Sequence, residues 1–91
     1  MGHMTSNRDE LVLRVRRIAG QIGAVEKAIA QDASCEAILH QVAGVRGAVL
    51  GLMDELVEAH LREHVARPGL TDEQRTQGAD ELIASIRRYR K

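Results

Sequence analysis

Three side chains in this 91-residue sequence could bind a soft or borderline metal ion: Cys35, His60 and His64. Cys35 is the only cysteine. It forms no intrachain disulfide and is a packed thiol, a reactive thiol or a metal ligand. Near a helix start, the dipole and free N–H groups favour the thiolate that metals bind. His60 and His64 stand four residues apart, which puts both on one helix face and within reach of one ion. The bland alternatives are a small hydrophobe in an interface and two solvated histidines at a polar helix end. Thiolate plus imidazole suits Zn(II), Co(II), Ni(II) or copper.

The stretch that carries them, residues 35–65, contains no proline and has apolar residues at helical spacing throughout. As one helix it is about 46 Å long, at roughly 1.5 Å per residue. Cys35 and the two histidines then lie at opposite ends of a rod. They can share a site only if a second, antiparallel copy lies alongside. The string His60-Leu61-Arg62-Glu63-His64 also matches H-x-x-E-H, a zinc-protease pattern. A catalytic zinc needs a third protein ligand and a walled cleft. A short all-helical chain supplies no such cleft, so the protein is not read as an enzyme. His3 is a further candidate ligand in an N-terminal arm, although Gly2-His3-Met4 also resembles a cloning remnant. His40, inside the long stretch, is read as structural.

Three helices must position these groups. In the first, residues 7–31, Leu11, Val15, Ile18, Ile22, Val25 and Ile29 recur at alternating intervals of four and three, an a/d seam. Asn7 with Glu10, or Ser6 with Asp9, offers its cap. Residues 31–34 are a polar break in which Asp32 or Ser34 can cap the next helix. The second helix repeats the pattern with Ile38, Val42, Val45, Val49, Leu52 and Leu56. Gly44, Gly47 and Gly51 form a second line on it. Each costs about 1 kcal/mol against alanine, so another backbone is expected to approach there. Arg67-Pro68-Gly69 ends this helix. Thr71-Asp72-Glu73-Gln74 reads as a capping box for a third helix, residues 71–90. Its expected buried side is Ala79, Leu82, Ile83, Ile86 and Tyr89.

The chain is read as one all-α domain, residues 1–91, with residues 1–7 as the arm. A middle helix much longer than its neighbours makes an awkward monomer and a natural dimer of antiparallel hairpins. A chain this short also gains by burying surface in self-association. No apolar run is long enough to span a membrane, and the N-terminus has no signal-peptide core, so a cytoplasmic protein is expected.

Formal net charge is zero, a poor start for nucleic-acid binding. The charge is segregated, however. Residues 1–30 hold five basic and three acidic side chains, and residues 31–70 hold three and six. Arg14, Arg16 and Arg17 form a short basic cluster. No helix-turn-helix, zinc finger or basic zipper is present.

Taken together, these residues resemble the CsoR/RcnR/FrmR family of small all-helical bacterial repressors, which sense copper, nickel/cobalt or formaldehyde. The resemblance covers essentially the whole chain. It is carried by Arg14-Val15-Arg16-Arg17-Ile18 with Gly20-Gln21, by Cys35 with Ala37-Ile38-Leu39, by Arg46-Gly47-Ala48, by Gly51-Leu52-Met53 with Glu55, and by His60 with His64. It implies an antiparallel hairpin dimer, two of which form a homotetramer. It implies operator DNA bound by the apoprotein through basic residues of the first two helices, with Arg14, Arg16, Arg17 and Arg46 as candidates. Effector binding at the dimer interface would then release DNA and derepress an efflux or detoxification gene.

The four subtype positions are His3, Cys35, His60 and His64. The copper branch has cysteine where this chain has His64. The formaldehyde branch uses an N-terminal proline and usually lacks the last histidine. The set here looks like the nickel/cobalt branch. A nitrogen-rich set with one thiolate also fits a higher coordination number than the copper site uses. The implied effector is Ni(II) or Co(II), with Zn(II) also chemically suited. Counting back from Cys35, His3 falls where that branch has its own histidine. The alternative in the same fold is an aldehyde sensor using Cys35 and the N-terminal amine. An alternative of another class is a metal-buffering helical bundle with no DNA target.

Overall fold

A computed structural model describes residues 7–90. These fold into three helices, α1 Arg8–Ala30, α2 Cys35–His64 and α3 Asp72–Tyr89, with no strand among the described residues. The expected all-α class and all three helices are present, each within two residues of its expected bounds.

The helix ends show which local signals act. Asn7 occupies the cap position of α1 but its side chain makes no capping hydrogen bond. Asp32 does not cap α2. It ends α1 instead, with φ +60°, a left-handed conformation that aspartate tolerates better than most residues. The Ala33 N–H then donates to the Ala28 carbonyl (2.9 Å) and the Asp32 N–H to the Ile29 carbonyl (3.1 Å), the paired bonds of a Schellman turn. Ser34 caps α2, accepting from the Ala37 N–H at 3.1 Å. The capping box of α3 forms in full. Thr71 Oγ1 accepts from the Gln74 N–H (3.0 Å) and Gln74 Oε1 accepts from the Thr71 N–H (2.9 Å).

The chain divides into two compact units, Asn7–Asp54 and Glu55–Lys91. In the first, α1 and the opening five turns of α2 form a hairpin joined by residues 31–34. A Cβ placed on Gly51 would lie 2.9 Å from the Arg14 guanidinium. Arg14 and Gly51 are equally far along the chain from the turn, so the two arms run antiparallel. Gly44 and Gly47 face open space within the chain. The close backbone approach expected along that line does not occur inside one chain.

The a/d seams resolve into two lines with different fates. On α1, Leu11 is buried and Ile18 and Val25 are half-buried, whereas Val15, Ile22 and Ile29 are exposed. On α2, Val45 and Ala59 are buried and Ile38 and Leu52 half-buried, whereas Val42, Val49 and Leu56 are exposed. Each line repeats every seven residues, the period of a packed helical pair. One line is covered within the chain and the other is left open.

In the second unit α3 returns along the end of α2. Gly78 is buried and Ala79 and Leu82 are half-buried, but Ile83, Ile86 and Tyr89 are exposed. The expected buried side of α3 is thus only partly covered. Two helices side by side bury a seam, whereas a whole apolar face needs neighbours on more than one side.

Candidate metal centre

The last two turns of α2 bring His60 and His64 together. Their ring centroids are 4.7 Å apart and the planes are inclined by 42°. The i, i+4 register alone accounts for this. What the register does not supply is ring orientation, and α3 provides it. His60 Nε2 lies 3.1 Å from the Gly78 carbonyl oxygen. A carbonyl can only accept, so Nε2 carries a proton, and in the neutral ring Nδ1 then holds the lone pair. The Glu81 carboxylate lies 3.9 Å from the same Nε2, which adds a negative charge behind the ring. Metal-binding histidines are commonly held this way, with the second nitrogen donating to a carbonyl or carboxylate.

The contact depends on a glycine. A Cβ on Gly78 would sit 2.1 Å from the His64 carbonyl oxygen and 2.8 Å from its carbonyl carbon. Only glycine lets α3 come this close to the end of α2. Arg75 fixes the intervening turn. Its guanidinium donates to the Val65 carbonyl, and more weakly to those of Leu70 (3.4 Å) and Arg67 (3.5 Å). The Val65 and Arg67 carbonyls have no helical N–H partner once Pro68 and Gly69 end α2. Beside the histidines lies an open groove of about 470 Å³, lined by Glu63, Gln74 and Glu81 among others.

Sequence reasoning singled out neither Gly78, Arg75 nor Glu81. The available signal was Gly78 itself, a glycine in the interior of a helix, where it costs about 1 kcal/mol unless something must approach.

The other candidate ligands lie elsewhere. Cys35 begins α2 and its thiol is exposed, so one continuous helix separates it from the histidine pair. His3 lies outside the described residues. Among the described residues no group of three or more His, Cys, Asp or Glu is placed to hold an ion within one chain. The donor chemistry nevertheless fits a transition metal: a histidine pair on one face, one ring with its donor atom set, and an accessible thiol. No described helix is long and apolar enough to cross a membrane.

Of the candidate DNA contacts, Arg16, Arg17 and Arg46 are exposed, while Arg14 is half-buried with its guanidinium over Gly51. Arg14 is thus partly engaged within the hairpin, and the other three reach outward.

Comparison with known proteins identifies the family. Residues 7–88 match the family described as metal-sensitive transcriptional repressor. The chain is 44% identical over 91 residues to an "Uncharacterized protein in bioA 5'region" of Serratia marcescens, covering all of both chains. It is 36% identical over 86 residues to the transcriptional repressor RcnR of Salmonella arizonae, covering 94% of this chain and 93% of that one. Among solved structures it is similar to a variant of the formaldehyde-responsive regulator FrmR of Salmonella enterica serovar Typhimurium that has histidine in place of a glutamate. The TM-score is 0.87 at 41% identity, over 97% of this chain and 99% of that one. The chain therefore belongs to the metal-sensitive transcriptional repressor family, whose members are regulators of transcription and not enzymes.

Proposed function

We propose that the protein is a nickel- or cobalt-responsive repressor that binds operator DNA as apoprotein and releases it when the metal binds. His60 and His64 of one subunit, Cys35 of an antiparallel partner and His3 would form the ligand set. The observation that carries this reading is the hydrogen bond from His60 Nε2 to Gly78. It holds the ring with Nδ1 as the donor atom, beside a second histidine on the same face. A bound ion would supply the positive charge and fixed geometry that tie the two chains at this point. The chain's own residues set the tautomer, hold the turn through Arg75 and present the thiol.

The open lines of α1 and α2 support a partner copy. Val15, Ile22, Ile29, Val42, Val49 and Leu56 are all exposed in the single chain. Burying one such side chain is worth about 1.5–3 kcal/mol. A dimer that covers them, and a dimer of dimers beyond it, is the assembly proposed. Arg16, Arg17 and Arg46 would contact operator phosphates in the cytoplasm, with Arg14 anchored at the hairpin.

The switch is a matter of linkage. The metal must bind the DNA-free state more tightly, and the ratio of its two affinities sets the size of the response. Titrating Ni(II) or Co(II) into apoprotein should give a thiolate charge-transfer band and release the chain's own upstream DNA. DNA affinity unchanged at saturating metal would sink the proposal.

A second reading rests on the similarity to the formaldehyde-responsive regulator. There Cys35 adds to formaldehyde and the resulting hydroxymethyl group condenses with the N-terminal amine, losing water to leave a methylene bridge. The exposed thiol permits this. A one-carbon mass increase joining Cys35 to the N-terminus would favour it. His64→Glu should abolish the nickel response under the first reading and leave an aldehyde response intact under the second.

A further inference from the structure

The basic end of α3 has no role in the site just described. From Asp72 to Glu81 the helix carries four acidic residues and one basic, Arg75. From residue 82 onward there are no acids and four basic residues, Arg87, Arg88, Arg90 and Lys91. The side chains of Arg87, Arg88 and Arg90 are exposed and make no ion pair or hydrogen bond among the described residues. Tyr89, the only tyrosine in a chain without phenylalanine or tryptophan, stands between them and is 60% exposed.

A cation or two in the last turn complements a helix dipole, which accounts for Arg87 and Arg88. It does not account for an acid-free run that continues past the helix, nor for an exposed tyrosine within it. Arginine forks pair with phosphate oxygens in a bidentate way, and tyrosine hydroxyls donate to the same oxygens. In a chain of zero net charge, such a local excess of exposed arginine has a clear polyanionic complement.

We propose that the C-terminal end of α3, Arg87, Arg88 and Arg90 with Tyr89, is a sequence-independent contact for the DNA phosphate backbone, additional to the basic residues of α1 and α2. This rests on the reading of the chain as a DNA-binding repressor.

The test uses the full-length apoprotein and compares wild type with two triple variants, one with Arg87→Gln, Arg88→Gln and Arg90→Gln, the other with lysine at the same positions. Affinity for the upstream duplex and for a scrambled duplex is measured across a salt series. Each phosphate contact contributes about 0.9 to the slope of log K against log salt. The glutamine variant should bind both duplexes at least ~10-fold more weakly at low salt, with a slope shallower by up to about 2.7 per engaged subunit. The lysine variant should keep the wild-type slope, because an ammonium also neutralises a phosphate. Wild-type slope and affinity in the glutamine variant overturn the inference. So does an equal loss in the lysine variant, which would mark a structural lesion. If wild type binds neither duplex, the repressor reading fails as well. If wild type binds and only the glutamine variant is indifferent, that reading survives and the α3 contact alone is lost.

Discussion

The two ends of α2 are built differently. The histidine end is braced by α3 within its own unit: Gly78 and Glu81 stand behind His60, and Arg75 holds the turn that follows His64. The cysteine end has one local device, the Ser34 cap, and leaves Cys35 exposed. A ligand whose ring is set in advance loses less freedom on binding than one that must be ordered. In the proposed site the histidine end would thus be the preorganised half, and the thiol the half delivered by a partner.

The sharpest way to break this contrast is to separate the halves between chains. A Cys35→Ala chain and a His60→Ala/His64→Ala chain should each bind Ni(II) far more weakly than wild type. The loss should exceed the roughly 10–100-fold that removing a mere supporting partner costs. Mixed and reassembled, the two should regain sites, because each heterodimer keeps one intact thiol facing one intact histidine pair. Failure of the mixture to recover metal binding would show that the ligands do not come from two chains.

Gly78→Ala addresses the brace itself. Alanine gains about 1 kcal/mol of helix propensity. Its Cβ would, however, meet the backbone carbonyl of His64, and overpacking of this kind costs about 1–3 kcal/mol or more. The clash wins, α3 moves away and the His60 hydrogen bond is lost. Nickel affinity should fall ~10–100-fold, with DNA affinity of the apoprotein retained. Isothermal titration and DNA binding on the same preparation would separate a positioning role from general damage. Arg75→Ala comes next in size. It removes charge-assisted hydrogen bonds to carbonyls at the end of α2, so thermal or denaturant unfolding should show a loss of about 1.5–3 kcal/mol.

The contrast also explains what could be read in advance. Helix number, bounds and the capping box follow from local chemistry, such as Thr71 with Gln74 or Pro68 with Gly69, and were legible. So was the i, i+4 histidine pair, because helix register depends on nothing distant. The brace was not. His60 meets Gly78 eighteen residues later, and no periodicity announces a carbonyl. The a/d seams were legible as seams. Which line faces inward was not, because Ile18 and Ile22 are chemically alike and differ only in where the neighbouring helix lies. Of the two residues able to cap α2, Ser34 does so, while Asp32 serves the end of α1. Both roles suit aspartate, and the left-handed turn decides between them.

The smallest predicted effect lies at the plain end. Ser34→Ala removes the one capping bond there, to the Ala37 N–H, and should cost about 1 kcal/mol. The first turn of α2 would fray, loosening the thiol without touching the histidines. If preorganisation resides only at the histidine end, nickel affinity should change much less than it does for Gly78→Ala, although both substitutions sit near a ligand. Equal losses in the two variants would mean that the cysteine end is as tightly set in the assembled protein as the histidine end, and that the partner chain braces what the single chain leaves bare.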